Sequence, residues 1–367
     1  MTKLLKKYIV HDTVIDPPHQ RGVDRCFMNF TSALAESFPG QVNVFSKRDL
    51  NSLKKLQIYP PSKYLSYPIP QRIGRFLDSH TIQFLANSFS DIYFSPYYGN
   101  IRVKIPQVFM AHDMIYEKFP HFFPGKYEKK FIKEKKDCFY RASLILCNSQ
   151  STYRDIREFY PDLPESRFRI VHLGVGDSFR QFSDSHYTGK PYFLFVGNRS
   201  LYKNFLRFLI AFGKSNLSKN FCLRIISPIN DFPTDQEMEI INKYHLENDI
   251  QVEISISDEV LHERYAQACA YICPSEYEGF GLPLVEAMAS GTLALASNTS
   301  SLPEIGGLAP IYFDPLSEDE MTQTLIDSAN LSSNERQDHI LKGKDQSLLF
   351  SWKESRKNFI SALESIL

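Results

Sequence analysis

The stretch PSEYEGFGLPLVEAMASGT, Pro274 to Thr292, places two carboxylates, Glu278 and Glu286, around two glycines and a proline. The apolar run YICPS before it reads as the end of a strand, and Glu278 to Leu282 read as a turn. Pro283 suits the first position of a helix and Gly291 the left-handed residue that ends it. Glu286 is therefore expected in the first helical turn. Beyond the carboxyl end of a strand, a helix start offers unpaired N–H groups to a phosphate. Gly279 and Gly281, without side chains, let a ligand approach that backbone. Two carboxylates beside a phosphate are unfavourable by charge, unless the ligand also carries paired hydroxyls for their oxygens to accept from. A nucleotide sugar has a diol at each end and a diphosphate between. Read alone, the same two glutamates also fit a simpler role near a helix dipole, worth ~0.3–1 kcal/mol each.

A second chemical cluster lies in FLFVGNRSLYKN, Phe193 to Asn204, where a strand runs into Gly197 and then Arg199 and Lys203. At a loop entering a helix, both cations would face one anion and stabilise a departing diphosphate. A third is VFMAHD, in which His112 and Asp113 follow an apolar strand and project from its carboxyl edge. In VIDPPHQRGVDRCFMNF, Gly22 lies between the first strand and a helix, where a lone glycine also reads as a plain turn. No His, Cys, Asp or Glu cluster has the spacing of a metal site, so no metal is expected.

These residues need a scaffold. A chain of 367 residues exceeds the ~250–300 at which one hydrophobic core stops growing, so two domains are expected. Strands are expected at Tyr8–Thr13, Gln41–Ser46, Asp91–Ser95, Val108–His112, Ser143–Asn148 and Arg169–Leu173. The rhythm restarts at Tyr192–Val196, Cys222–Ile226, Ile250–Ile254, Tyr271–Pro274, Leu293–Ser297 and Ile311–Phe313. Near-continuous apolar strands separated by amphipathic segments indicate parallel sheets covered on both faces, hence two doubly wound α/β domains. The polar stretch Val175 to Pro191 marks their boundary, giving domains at 1–178 and 190–348. The tail SWKESRKNFISALESIL, 349–367 with its two preceding residues, reads as a final helix. The 42 basic and 42 acidic residues balance, which argues against a nucleic-acid partner. Six scattered cysteines without a Cys-x-x-Cys pair read as buried free thiols.

Glu278, seven intervening residues and Glu286, within EGFGLPLVEAMASG, resemble the hallmark of family 4 retaining glycosyltransferases. FLFVGNRSLYKN, VFMAHD, LCNSQSTYRDI, VHLGV and the closing Ser351–Trp352 extend the likeness over nearly the whole chain. The resemblance implies a GT-B fold, two Rossmann-like domains facing a cleft, with the last helix crossing back to the first domain. It implies that Glu278 holds sugar hydroxyls, Glu286 the ribose, Gly279, Phe280, Gly281 and Leu282 the donor through backbone bonds, and Lys203 with Arg199 the diphosphate. Many members place arginine directly before the lysine, where this chain has Tyr202. The resemblance further gives Gly22 to a loop reaching the diphosphate and His112 to the transferred sugar or the acceptor. It also implies retention of the anomeric configuration, no cofactor besides a GDP- or UDP-linked sugar donor, and no metal.

The expected activity is hexosyl transfer to a glycan or lipid-linked glycan, with mannose from GDP-mannose first and glucose or another hexose from a UDP-sugar next. A sugar-nucleotide epimerase and a non-catalytic sugar-nucleotide binding protein are the alternatives. The segment Lys126–Arg141 carries seven basic against three acidic residues, interleaved with Tyr127, Phe131 and Phe139. It reads either as a solvated helix with its aromatic face on the core or as a contact with an anionic membrane. With no secretory signal and no membrane-spanning run, the chain is expected in the cytoplasm, or at the cytoplasmic face of the membrane.

Overall fold

The computed structural model describes residues 7–11, 21–46, 63–66, 83–99, 101–181, 188–199 and 201–366. The chain divides into two compact units. The first comprises Met1–His172 with Lys353–Leu367, and the second Leu173–Trp352.

The first unit is built on a parallel sheet of β1 (Tyr8–His11), β2 (Val42–Ser46), β3 (Lys63–Ser66), β4 (Ile92–Ser95), β5 (Gln107–Ala111), β6 (Leu144–Cys147) and β7 (Phe168–Ile170). Their order is β3-β2-β1-β4-β5-β6-β7. Every residue of β4, β5 and β6 is buried, as expected of strands covered on both faces. The second sheet holds β8 (Tyr192–Val196), β9 (Cys222–Ser227), β10 (Ile250–Ile254), β11 (Ala270–Cys273), β12 (Ala294–Ser297) and β13 (Ile311–Phe313). They run in the order β10-β9-β8-β11-β12-β13.

In both sheets the winding direction reverses beside the first strand, between β1 and β4 and between β8 and β11. Such reversals open the crevice in which doubly wound sheets bind ligands. In the second unit the register at the reversal is Ala270↔Phe193 and Tyr271↔Leu194. The loops that leave β8 and β11 carry Lys203 and Glu278, so this register sets them side by side.

The division between the units falls at Leu173, ahead of the polar stretch from Val175 expected to separate them. Val175 forms a parallel bridge with Ser351, its N–H donates to the Phe350 carbonyl at 2.9 Å, and Phe179 is buried. These contacts give Leu173–Arg180 to the second unit. The last helix, Trp352–Glu364, packs within the first unit. Phe359 stacks on Phe30 at 4.5 Å, and Arg356 donates to Asn29.

Strand β3, which among the described residues pairs only with β2, was not expected from its sequence KYLS. The run expected at Arg169–Leu173 begins one residue earlier, at buried Phe168. All six cysteines are free thiols and five are buried.

In helix Lys126–Arg141 Phe131 and Phe139 meet the core, while Tyr127 is exposed. Phe139 is buried, and Phe131 packs against Tyr97, Tyr98 and Tyr116. Lys135 is fully buried, and Arg141 bonds to Asp137, Gln107 and the Ile101 and Gly99 carbonyls. Two of the seven cations are thus occupied inside the unit. No helix among the described residues is long and apolar enough to cross a membrane.

Candidate functional site

The loops after β8 and β11 are laced together by consecutive residues. The Tyr202 carbonyl accepts from the Glu276 N–H at 2.8 Å. Lys203 Nζ lies 2.7 Å from Glu278 Oε1. Asn204 Nδ2 donates to the Pro274 carbonyl at 3.0 Å and to the Pro315 carbonyl at 2.7 Å. Asn204 adopts the left-handed conformation, φ 59°, as N-cap of helix Phe205–Lys214, which asparagine tolerates better than most residues. Arg207, one turn on, donates to Glu276 at 3.0 Å.

Glu278 is held from three more directions. Ser275 Oγ donates to its Oε1 at 2.7 Å, its own N–H donates to Ser300 Oγ at 2.9 Å, and Ser301 Oγ donates to its carbonyl at 2.9 Å. Burial alone would lower the Lys203 ammonium's pKa, but the Glu278 carboxylate, with Tyr202, raises it above the ordinary lysine value. Lys203 therefore stays cationic, at side-chain exposures of 17% for the lysine and 12% for its partner. This cation is held by one carboxylate beside a helix start, a place where an incoming anion can take over the pairing.

Gly281 is the N-cap of helix Leu282–Ala289, with φ 95°. A Cβ there would meet Leu302 Cδ2 at 2.9 Å, so both backbone conformation and packing require glycine. Gly291, φ 76°, follows the helix end, as its sequence suggested. Phe280 turns inward against Phe350 at 5.7 Å, which leaves its backbone as the part able to meet a ligand. Glu286 sits in the second turn of this helix rather than the first, because Leu282 and not Pro283 opens it. The residue is 4% exposed, and its carboxylate accepts from the Tyr265 hydroxyl at 3.3 Å. A glutamate placed only to favour a helix dipole has no need of burial or of a hydroxyl donor.

Arg199, in the same loop as Lys203, takes partners that the sequence did not suggest. Its guanidinium, 3% exposed, pairs with Asp231 at 2.6 Å and Glu237 at 2.7 Å and lies over the Phe232 and Phe205 rings. Two carboxylates hold its Nε and Nη2, while Nη1 is buried without a hydrogen-bond partner. Gly22 is the second residue of helix Arg21–Ser37; the loop expected to reach a diphosphate, residues 12–20, lies outside the described residues.

In the first unit, His112 follows β5 directly. Its N–H donates to the Tyr98 hydroxyl at 3.2 Å, and Nε2 lies 2.6 Å from the Pro96 carbonyl. Asn148 Nδ2 donates to the His112 carbonyl at 2.8 Å. Burial lowers the imidazole pKa, against the Pro96 hydrogen bond and Asp113, which raise it. The ring is neutral at pH 7, and because a carbonyl only accepts, Nε2 carries the proton and Nδ1 is the acceptor. The Asp113 carboxylate accepts from the Ile115 N–H at 3.1 Å. Among the described residues no group of three or more His, Cys, Asp or Glu is placed to hold a metal ion.

Ser275, Thr299, Ser300, Ser301, Asn204 and Tyr265 were not singled out in the sequence. The polar run Asn298–Ser301 after a buried strand could have pointed to three of them, Thr299 donating from Oγ1 to the Glu276 carbonyl at 3.1 Å; Tyr265, inside a helix with no distinctive pattern, offered no signal.

Residues 21–179 match the family described as Glycosyltransferase Family 4, and residues 178–344 the family described as Glycosyl transferases group 1. The chain is 26% identical over 264 residues to the O-antigen chain mannosyltransferase B of Escherichia coli, covering 68% of each. It is 27% identical over 198 residues to the MMP alpha-(1->4)-mannosyltransferase of Mycolicibacterium hassiacum, covering 53% of this chain and 47% of that one. The crystal structure of Anabaena Alr3699/HepE in complex with UDP and glucose superposes with TM-score 0.76 at 15% identity, covering 98% of this chain and 100% of the other. The fold is the two-domain α/β arrangement called GT-B. By motif, matched regions and fold, the chain belongs to glycosyltransferase family 4.

Proposed function

We propose that this protein transfers a hexose, with retention of the anomeric configuration and without a divalent cation, from a nucleotide sugar to a hydroxyl of a glycan or glycolipid. The observation that carries this reading is the Lys203–Glu278 pair, set by laced loops beside the helix start at Leu282. Mannose from GDP-mannose is the leading donor, supported by relatives named as mannosyltransferases. A UDP-hexose is the second reading, supported by the structural relative solved with UDP and glucose.

In this reading the donor diphosphate takes Lys203 from Glu278, and the freed carboxylate accepts from the sugar hydroxyls. The N–H groups of Gly279 to Leu282 face the phosphates, and Glu286 accepts from the ribose diol. The bond between the anomeric carbon and the phosphate oxygen breaks with its electron pair passing to that oxygen, whose charge Lys203 stabilises. The acceptor hydroxyl bonds to the same face of the sugar, and its proton passes to the leaving phosphate. No carboxylate is needed as nucleophile, unlike in retaining glycosidases. His112, neutral and accepting at Nδ1, contributes a hydrogen bond to a sugar hydroxyl and not general-base catalysis.

Calorimetric titration with GDP and UDP, followed by NMR of the product made from the better donor, tests the reading. Binding of one nucleotide, an α-linked product from an α-linked donor, and a rate unchanged by EDTA are expected. An inverted product, or binding of neither nucleotide, overturns it.

A further inference from the structure

Glu286 is a buried carboxylate on a helix whose neighbour, Asp258–Gln267, supplies its hydroxyl donor. Three bonds join the two helices. Tyr265 Oη donates to Glu286 Oε2 at 3.3 Å. Thr292 Oγ1, in the turn that follows the glutamate's helix, donates to the Tyr265 carbonyl at 2.7 Å. His262 Nδ1 lies 2.9 Å from Ser290 Oγ. The Tyr265 ring is itself fully buried, fixed between Phe179 at 6.2 Å and Tyr271 at 5.5 Å, both edge-on. A tyrosine clamped in this way can aim its hydroxyl in one direction, and it aims at the carboxylate.

We infer that Tyr265 is a positioning residue for nucleotide recognition: its hydroxyl holds one oxygen of Glu286, fixing the carboxylate rotamer that accepts from a ribose diol. The inference rests on the proposed ribose role of Glu286 and adds the residue that makes that role specific. A carboxylate left to rotate would grip a diol less well, because the ordering of the side chain would then fall on the binding step. The hydroxyl touches no substrate, so its effect passes through Glu286 alone. The bond from Thr292 to the Tyr265 carbonyl joins the same helices without involving either side chain, which makes Thr292 the control for a merely structural role.

The test measures Kd by calorimetry for the nucleoside diphosphate that binds better and for its 2′-deoxy form, with wild type, Tyr265→Phe, Thr292→Val and Glu286→Ala. Wild type is expected to prefer the ribonucleotide. Tyr265→Phe should weaken ribonucleotide binding roughly tenfold, the scale of one hydrogen bond to a charged group, and leave the deoxynucleotide little changed. In the Glu286→Ala background the same substitution should add nothing. Thr292→Val should lower the melting temperature while keeping the wild-type preference. A Tyr265→Phe protein that melts lower yet keeps that preference overturns the inference. Equal binding of both nucleotides by wild type removes the ribose role of Glu286 and the inference with it, and that failure is read before any variant is made.

Discussion

Two of the chain's lysine–glutamate pairs, nearly equal in length, lie in different surroundings. In the first unit Lys135 and Glu117 meet at 2.6 Å with side-chain exposures of 0% and 4%. In the second, Lys203 and Glu278 meet at 2.7 Å with 17% and 12%. The sealed pair lies among aromatic rings, with the lysine 5.6 Å from the Tyr98 centroid and 5.8 Å from that of Tyr116. The lysine also donates to the Asp113 carbonyl at 3.2 Å. The other pair lies on two loops tied by serine hydroxyls and backbone bonds. The difference separates a structural ion pair from an exchangeable one. Burial shields the first from water and ligand, so Glu117 and Lys135 are each other's counter-ion, whereas the second can trade its partner for an anion.

The largest effect should come from breaking the sealed pair. Lys135→Ala leaves Glu117 buried without its counter-ion, so that the carboxylate is either uncompensated or must take up a proton, at a cost of up to ~3–5 kcal/mol that should lower the melting temperature of the protein by on the order of 10 °C. Burial already raises the Glu117 pKa, with Lys135 opposing that rise. Removing both charges, as in Lys135→Met with Glu117→Leu, should recover most of the lost stability. A single variant as stable as wild type in a thermal scan would show that the pair is not the dependence described here.

Lys203→Ala should reverse the pattern. Glu278 keeps Ser275 as a donor and some access to water, so the melting temperature should fall by only a few degrees. Transfer should drop by ~10²–10³-fold, as when one preorganised charge-stabilising group is removed from an active site. A rate assay at saturating acceptor beside a thermal scan reads both quantities. Loss of stability comparable to that of Lys135→Ala, with the rate retained, would erase the contrast between the pairs.

The contrast also shows how far the sequence was legible. GNRSLYKN and EGFGLPLVEA were readable because each is a local unit: a strand end, a turn and a helix start whose glycines and proline have positional meaning. The doubly wound fold was readable for the same reason, since strands such as QVFMA and YIC are continuous apolar runs. The partners of Arg199 were not legible because its carboxylates, Asp231 and Glu237, come from the connection after β9, and no local spacing announces them. Tyr265, Ser300 and the lone-edge strand β3 escaped for a similar reason. Each takes its meaning from a partner distant in the chain, and KYLS lacks the apolar run that identifies a buried strand.

The smallest effect lies in acid stability and bears on the sealed region. His112 is held against the Pro96 carbonyl, with Asp113 raising its pKa and burial and Lys135 lowering it, for a net lowering. A histidine whose folded pKa lies below its unfolded value of about 6.5 contributes stability that is complete above that value and is lost as pH falls through the folded one. His262, lowered by burial, acts in the same sense. Glu117, whose pKa is raised, acts in the opposite sense: its contribution is present below the unfolded carboxylate value and lost as pH rises through the folded one. The fall of melting temperature below pH 6.5 should therefore be shallower in His112→Gln than in wild type, by at most ~1.4 kcal/mol per pH unit for one proton. His262 keeps its own share of the slope. A His112→Gln protein whose melting temperature follows the wild-type pH curve would mean that the imidazole is not neutral in the folded state. The sealed surroundings of Lys135 would then not extend to the histidine whose loop it anchors.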